Sequence, residues 1–155
     1  MPPGAYLFPL AFFGMRGLSD SICEARRQKV LSLVSALPEA SAKVCGGRHL
    51  SFKVRSKTFG YFLDDHHGDG RIALNCKTAP GVNDTLARVA SDRFFIPKYI
   101  GARAWLGLWL DLPQVDWTQI EDVITEAYRL VAPRALVSKL ERFNQAQSGS
   151  PIPAP

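Results

Sequence analysis

The most regular pattern in the chain lies between residues 49 and 63, where apolar and polar side chains alternate with a period of two. From His49 to Arg55, Leu50, Phe52 and Val54 fall on one face, and His49, Ser51, Lys53 and Arg55 on the other. From Thr58 to Leu63 the alternation resumes through Phe59, Tyr61 and Leu63. A two-residue turn at Ser56 and Lys57 joins the two segments into a hairpin in which Val54 faces Phe59, Phe52 faces Tyr61 and Leu50 faces Leu63. In that register Ser51, Lys53, Arg55, Thr58, Gly60 and Phe62 share the opposite face, with Gly60 across from Lys53. The turn itself departs from rule, because tight hairpins favour Gly or Asn there. A third strand, Arg71 to Lys77, carries Ile72, Leu74 and Cys76 on one face and follows a connection from Asp64 to Gly70.

Helical spacing appears on both sides of this meander. Ser19 or Asp20 caps a helix whose apolar positions Ile22, Val30, Leu33, Val34 and Leu37 lead to Pro38. Pro80 to Ser91 predicts a short helix packing Leu86 and Val89, followed by the apolar stretch Phe94 to Ile96 and a loop at Pro97. Trp105 to Leu112 predicts a strand that is apolar on both faces, Leu106, Leu108 and Leu110 against Trp105, Gly107 and Trp109, and therefore largely covered. Asp116 then caps the clearest helix, with Gln119 completing a capping box and a stripe of Ile120, Val123, Ile124, Ala127, Tyr128 and Val131. Beyond Pro133 a terminal helix runs from Ala135 to Phe143 with Leu136 and Leu140. This order implies an α+β domain, an antiparallel sheet with helices packed on one face, its core formed by Leu50, Phe52, Val54, Phe59, Tyr61, Leu63, Ile72 and Leu74 under Ile120, Ile124 and Tyr128.

Composition sets the boundaries of that domain. The chain has 155 residues, 46% hydrophobic and 21% charged, enough for one domain with a core of its own and far from a membrane or wholly disordered profile. Residues 19–143 form the single domain, 1–18 a flexible N-terminal extension and 144–155 a disordered tail rich in Pro and Ser. The apolar run Ala5 to Met15 lacks a preceding positive charge, contains Pro9 and is followed by Arg16, so it is not read as a secretory signal. Cys23, Cys45 and Cys76 are odd in number and widely spaced, which supplies neither a disulfide framework nor a CxxC zinc site and suits a reducing cytoplasm.

Catalytic and metal chemistry find little support. Asp64-Asp65-His66-His67-Gly68-Asp69-Gly70 gathers ligand types, but a calcium loop begun at Asp65 would need a bidentate Glu where Cys76 stands. Successive turn residues do not converge on a metal, so none is expected there. No GxSxG, P-loop or GxGxxG occurs, and no Cys has a His partner placed by the sequence. Cys76 reads as a buried, inert thiol and His49 as a structural or solvated residue. The chain is read as neither an enzyme nor the holder of a cofactor.

Charge is more informative. The net charge is +5, and residues 42–103 carry 11 Lys and Arg against 5 Asp and Glu, whereas residues 104–155 carry 4 against 6. The basic excess therefore belongs to the sheet and its connections, where Lys53, Arg55 and Lys57 with Phe62 make a basic ribbon suited to phosphate contact.

From Leu37-Pro38-Glu39-Ala40 onward the sequence resembles the MmcQ/YjbR family. The resemblance rests on Phe52-Lys53-Val54 with Lys57-Thr58-Phe59, Leu74 and Lys77 followed by Pro80, Phe95-Ile96-Pro97 with Tyr99, Trp105 with Leu108, Leu110 and Asp111, and Val115-Asp116 leading into Ala127-Tyr128-Arg129-Leu130-Val131. Ser56 stands where members commonly carry Gly before the hairpin Lys, and Ala127-Tyr128 where they commonly show Ser-Tyr. The resemblance implies a small bacterial protein with a frataxin-like (CyaY-like) α-β-α sandwich, a double-wing motif, DNA binding and no catalytic residues. The expected partner is DNA, held by Lys53, Arg55, Lys57, Lys77, Lys98 and Arg103 through its phosphates with little sequence readout. The alternative is a protein-interaction module docking a partner on the exposed sheet face through Phe62 and Trp109.

Overall fold

The computed structural model describes residues 18–149. Helix α1 (Asp20–Ser35) is followed by strands β1 (Ala40–Gly46), β2 (His49–Val54), β3 (Lys57–Asp64) and β4 (Ile72–Lys77) and by helix α2 (Val82–Val89). Strands β5 (Phe94–Phe95) and β6 (Trp105–Trp109) then precede helices α3 (Trp117–Val131) and α4 (Arg134–Ser148). The strands form one six-stranded antiparallel sheet in the order β1-β2-β3-β4-β6-β5. The α+β class follows directly from this arrangement.

The helices start where capping chemistry permits. The Ser19 hydroxyl accepts from the Ile22 N–H at 3.4 Å, and the Asp116 carboxylate accepts from the Gln119 N–H at 3.1 Å. The Gln119 side chain does not complete a capping box; its Oε1 accepts from Arg93 Nη1 at 3.0 Å and ties α3 to the start of β5. Helix α3 presents Ile120, Ile124, Ala127, Tyr128 and Val131 to a core that also takes Val30 and Val34 from α1 and Leu136 and Leu140 from α4. The same core receives Leu50, Phe52, Val54, Phe62, Ile72, Leu74, Leu106 and Leu108 from the sheet, so these helices share one face. Tyr128 is fully buried, its ring edge-on to Phe59 with centroids 5.8 Å apart, and its hydroxyl donates to the Pro38 carbonyl at 2.7 Å.

The hairpin differs from the expected register. Its turn is Arg55-Ser56, with Val54 opposite Lys57 and Lys53 opposite Thr58, and Arg55 holds the left-handed φ of 55° that a tight turn demands. Between Lys53 and Phe52 the ladder shifts by one residue on β3, so Phe52 faces Gly60, Ser51 faces Tyr61 and Leu50 faces Phe62. The bulge inserts an extra residue and reverses the faces beyond it. Phe59 and Phe62 both enter the core, whereas Tyr61 and Leu63, expected inside, lie half-buried on the other face. Gly60 lies against Phe52 instead of Lys53, and a Cβ there would stand 2.9 Å from the Phe52 ring.

Other differences are smaller. Strand β1 was not indicated by the hydrophobic pattern, β5 forms where only an apolar stretch was expected, and Val89 of α2 is exposed instead of packed. Ser51 lies on the expected face yet is buried. Helix α4 extends to Ser148, past residue 143 where composition ends the domain. The expectations for residues 1–17 and 150–155 fall outside the described residues.

Candidate functional site

Antiparallel pairing decides where the basic residues go. β2 and β4 end, and β3 and β6 begin, at the same end of the sheet, because Val54 pairs Lys57 and Lys77 pairs Trp105. β5 runs toward that end as well, since Phe94 faces Leu108 and Phe95 faces Gly107. Lys53, Arg55, Lys57, Lys77, Lys98 and Arg103, scattered over the middle of the sequence, are thus gathered along one end, with Arg103 beside Ala104, whose carbonyl accepts from Thr78 N–H at 2.8 Å. Lys57, Lys98 and Arg103 are exposed, and Lys53 and Lys77 are half-buried.

Their electrostatic states differ. The Arg55 guanidinium is bound to Glu39 through Nε and Nη2, so much of its charge is already answered. Among the described residues, no carboxylate lies within ion-pairing distance of Lys53, Lys57, Lys77, Lys98 or Arg103. The sheet face opposite the core adds to this imbalance. Residues directly across share a face, so one row on it reads Lys43, Ser51, Tyr61, Asn75 and Gly107. A neighbouring row holds Ser41, Lys53 and Thr58 with Lys77 and Trp105, and a third holds Leu63, Ala73 and Trp109. No Asp or Glu occupies any of these positions; Asp64, on the core side opposite Ile72, is bound by Arg48 Nε at 2.8 Å.

The same face carries rings. Tyr61 and Trp105 lie 5.4 Å apart, and Phe95 stacks on Trp109 at 4.1 Å with 24° between planes. The Phe95 ring tip rests on Gly107, where any Cβ would be 2.2 Å from its Cζ, so glycine is required for the ring to lie there. The other side of Trp109 is covered by the Arg71 guanidinium 3.4 Å from the ring centroid, and Asp111 clamps Arg71 with bonds of 2.9 and 2.8 Å. This bidentate hydrogen bond holds the Arg71 pKa above its ordinary value. Trp109, expected as a docking aromatic, is therefore occupied on both sides, and Phe62 is unavailable because it is in the core.

The opposite end of the sheet brings together His49, His66 and His67. The His49 and His66 rings are 5.2 Å apart edge-on, and those of His66 and His67 3.9 Å apart. Burial, together with the neighbouring imidazoles, lowers the His66 pKa. His49 Nδ1 accepts the Asp64 N–H at 3.1 Å, a structural role. Among the described residues no group of three or more His, Cys, Asp or Glu side chains is arranged to hold a metal ion. Cys76 is fully buried on the core face, and burial pushes its thiol pKa up, which disfavours the reactive thiolate.

These features define a small α+β protein with a cationic sheet end and, opposite the core, a sheet face whose middle rows are largely buried. The YjbR family model matches residues 35–130, and the chain belongs to that family. A crystal structure of a Deinococcus radiodurans protein with a DUF419 domain is similar, with a TM-score of 0.59 and 18% identity over 74% of this chain and 87% of that one. No curated protein matches the chain. Among the described residues no helix is long and apolar enough to cross a membrane.

Proposed function

We propose that this protein binds DNA through phosphate contacts with little reading of base sequence. The observation that carries the proposal is the set of cations without acidic partners among the described residues at one end of the sheet, Lys53, Lys57, Lys77, Lys98 and Arg103. Unneutralised cations at this spacing release counterions from a polyanion and hold it without regard to sequence. Arg55 is a lesser contributor, because Glu39 competes with any phosphate for its guanidinium. The cations come from strands, a loop and the three-residue 3-10 turn Gly101–Arg103, with no α-helix among them to enter a major groove, so base-edge contacts are minor. The reading involves no catalytic step or cofactor and places the protein in a reducing cytoplasm, in keeping with three free thiols.

The test compares the wild type with a K53E/K57E/K77E variant on mixed-sequence duplex DNA at low salt. None of the three side chains belongs to the core cluster, so the variant retains the wild-type circular dichroism and melting behaviour. Binding is expected to be lost, and different duplex sequences to bind the wild type nearly equally. A folded variant that binds as well as the wild type would refute the assignment.

A further inference from the structure

We infer that Tyr99 is the aromatic contact of the cationic sheet end and stacks on an unpaired nucleobase whose flanking phosphates lie on Lys98 and Arg103. The inference rests on the DNA-binding reading and narrows it to DNA that presents bases free of their partners.

The loop carrying Tyr99 joins β5 to β6 and so closes the cationic end of the sheet. Its base is anchored. Asn83, 3% exposed, donates from Nδ2 to the carbonyls of Gly101 and Trp105 at 2.9 and 3.1 Å. Thr78 donates through both its N–H and its hydroxyl to the Ala104 carbonyl, each at 2.8 Å. The Gly101 N–H reaches back to the Pro97 carbonyl at 2.9 Å, and Gly101 packs so closely on Ile96 that a Cβ would stand 2.3 Å from Cγ2. On this support Tyr99 is the centre of a three-residue turn, with φ of 69° and the Ile100 N–H donating to the Lys98 carbonyl at 2.9 Å across it. A γ-turn of positive φ is the rare, strained form, and such strain persists only where the surrounding structure imposes it.

What the strained turn holds out is a bare ring. Tyr99 is 90% exposed, and among the described residues its ring has no aromatic or cationic partner. Of the aromatic residues from Phe94 to Trp109 it alone is exposed. Lys98 and Arg103, in the same loop, are exposed as well, and between Asp92 and Asp111 the chain has no acidic residue. Asp84 of α2 lines a cleft with Ile96, Gly101, Ala102 and Ala104, but Lys98, Tyr99 and Arg103 do not border it. A partner fitted to this tip has a flat apolar face beside negative charge, and a nucleotide carries both. In a duplex neighbouring bases already cover each other's faces, so the ring gains a base only where one is unpaired.

The experiment measures binding of the intact protein to labelled DNA by anisotropy at one salt concentration. The probes are a mixed-sequence duplex, the same duplex with a central run of thymidines left unpaired, and that gapped duplex with abasic residues in place of the thymidines. The thymidine gap is expected to bind about fivefold or more tightly than either of the others, the gain one base–aromatic stack supplies. Tyr99→Gly accepts the positive φ without strain, so it removes the ring from a protein that melts like the wild type. It is expected to bind the thymidine gap no better than the abasic one, whereas Tyr99→Phe, which keeps the ring, should retain the preference. A wild type that binds all the probes alike, or favours both gaps equally, would overturn this inference and leave the phosphate reading in place. A preference for thymidines that survives in folded Tyr99→Gly would overturn it too. Binding of none of the probes would overturn the DNA reading as well.

Discussion

Truncating Phe62 to Ala discriminates between the bulged hairpin and the unbroken alternation suggested by the sequence. In the bulged register Phe62 stands directly opposite Leu50 on one side and Leu74 on the other and is 1% exposed. Removing its ring loses the transfer free energy of a buried aromatic and leaves a cavity bounded by those two leucines, about 3–5 kcal/mol together. For a chain of this size that corresponds to a fall in Tm of roughly 6–20 °C. Leu63→Ala, at a half-buried position on the opposite face, should cost about 1 kcal/mol. Urea unfolding followed by circular dichroism measures both, with the m-value expected to stay constant. Without the bulge the two positions exchange faces, so a small loss for Phe62→Ala and a large one for Leu63→Ala would refute the register and the placement of Tyr61 on the face opposite the core.

Tyr128→Phe keeps the buried ring but removes the donor to the Pro38 carbonyl, and should cost about 1–2 kcal/mol in the same assay. Since His66 binds its proton less readily in the folded state, the unfolded chain takes up more protons as pH falls through about 6.5, the ordinary imidazole value. The His66 contribution to stability is therefore present above that pH and lost below it, and unfolding of the wild type and His66→Gln at about pH 7.5 and about pH 5.5 should show a smaller pH effect in the variant. With a disulfide-type thiol reagent, the exposed Cys45 should react rapidly in the native protein, whereas buried Cys23 and Cys76 should react only on unfolding.

The long periodic segments were legible in the sequence because burial on one face imposes a period that composition cannot hide. The stripe Ile120, Ile124, Tyr128 and the triplet Leu50, Phe52, Val54 are both where their spacing places them. Strand β1 was not legible: Ala40 and Ala42 are small, and the rest of the strand is exposed at the sheet edge, so its pairing with β2 carries the structure with almost no hydrophobic signal. The bulge was masked by the alternation itself, and the left-handed turn residue is Arg55, a type that does not advertise that conformation. For the candidate site, the basic residues were visible and their gathering at one end follows from antiparallel order. The loss of Arg55 to Glu39 was not visible, because that contact depends on β1. Nor was the ring layer opposite the core, since the unbulged register sent Tyr61 to the core.

The salt dependence of binding tests the central claim most directly. If Lys53, Lys57, Lys77, Lys98 and Arg103 each engage one phosphate, the plot of log affinity for duplex DNA against log salt should have a slope of about −4.5, an affinity loss of about 500-fold between 50 and 200 mM. A slope near zero, or no binding at the lower salt, would contradict the assignment of the cationic sheet end to phosphate contact.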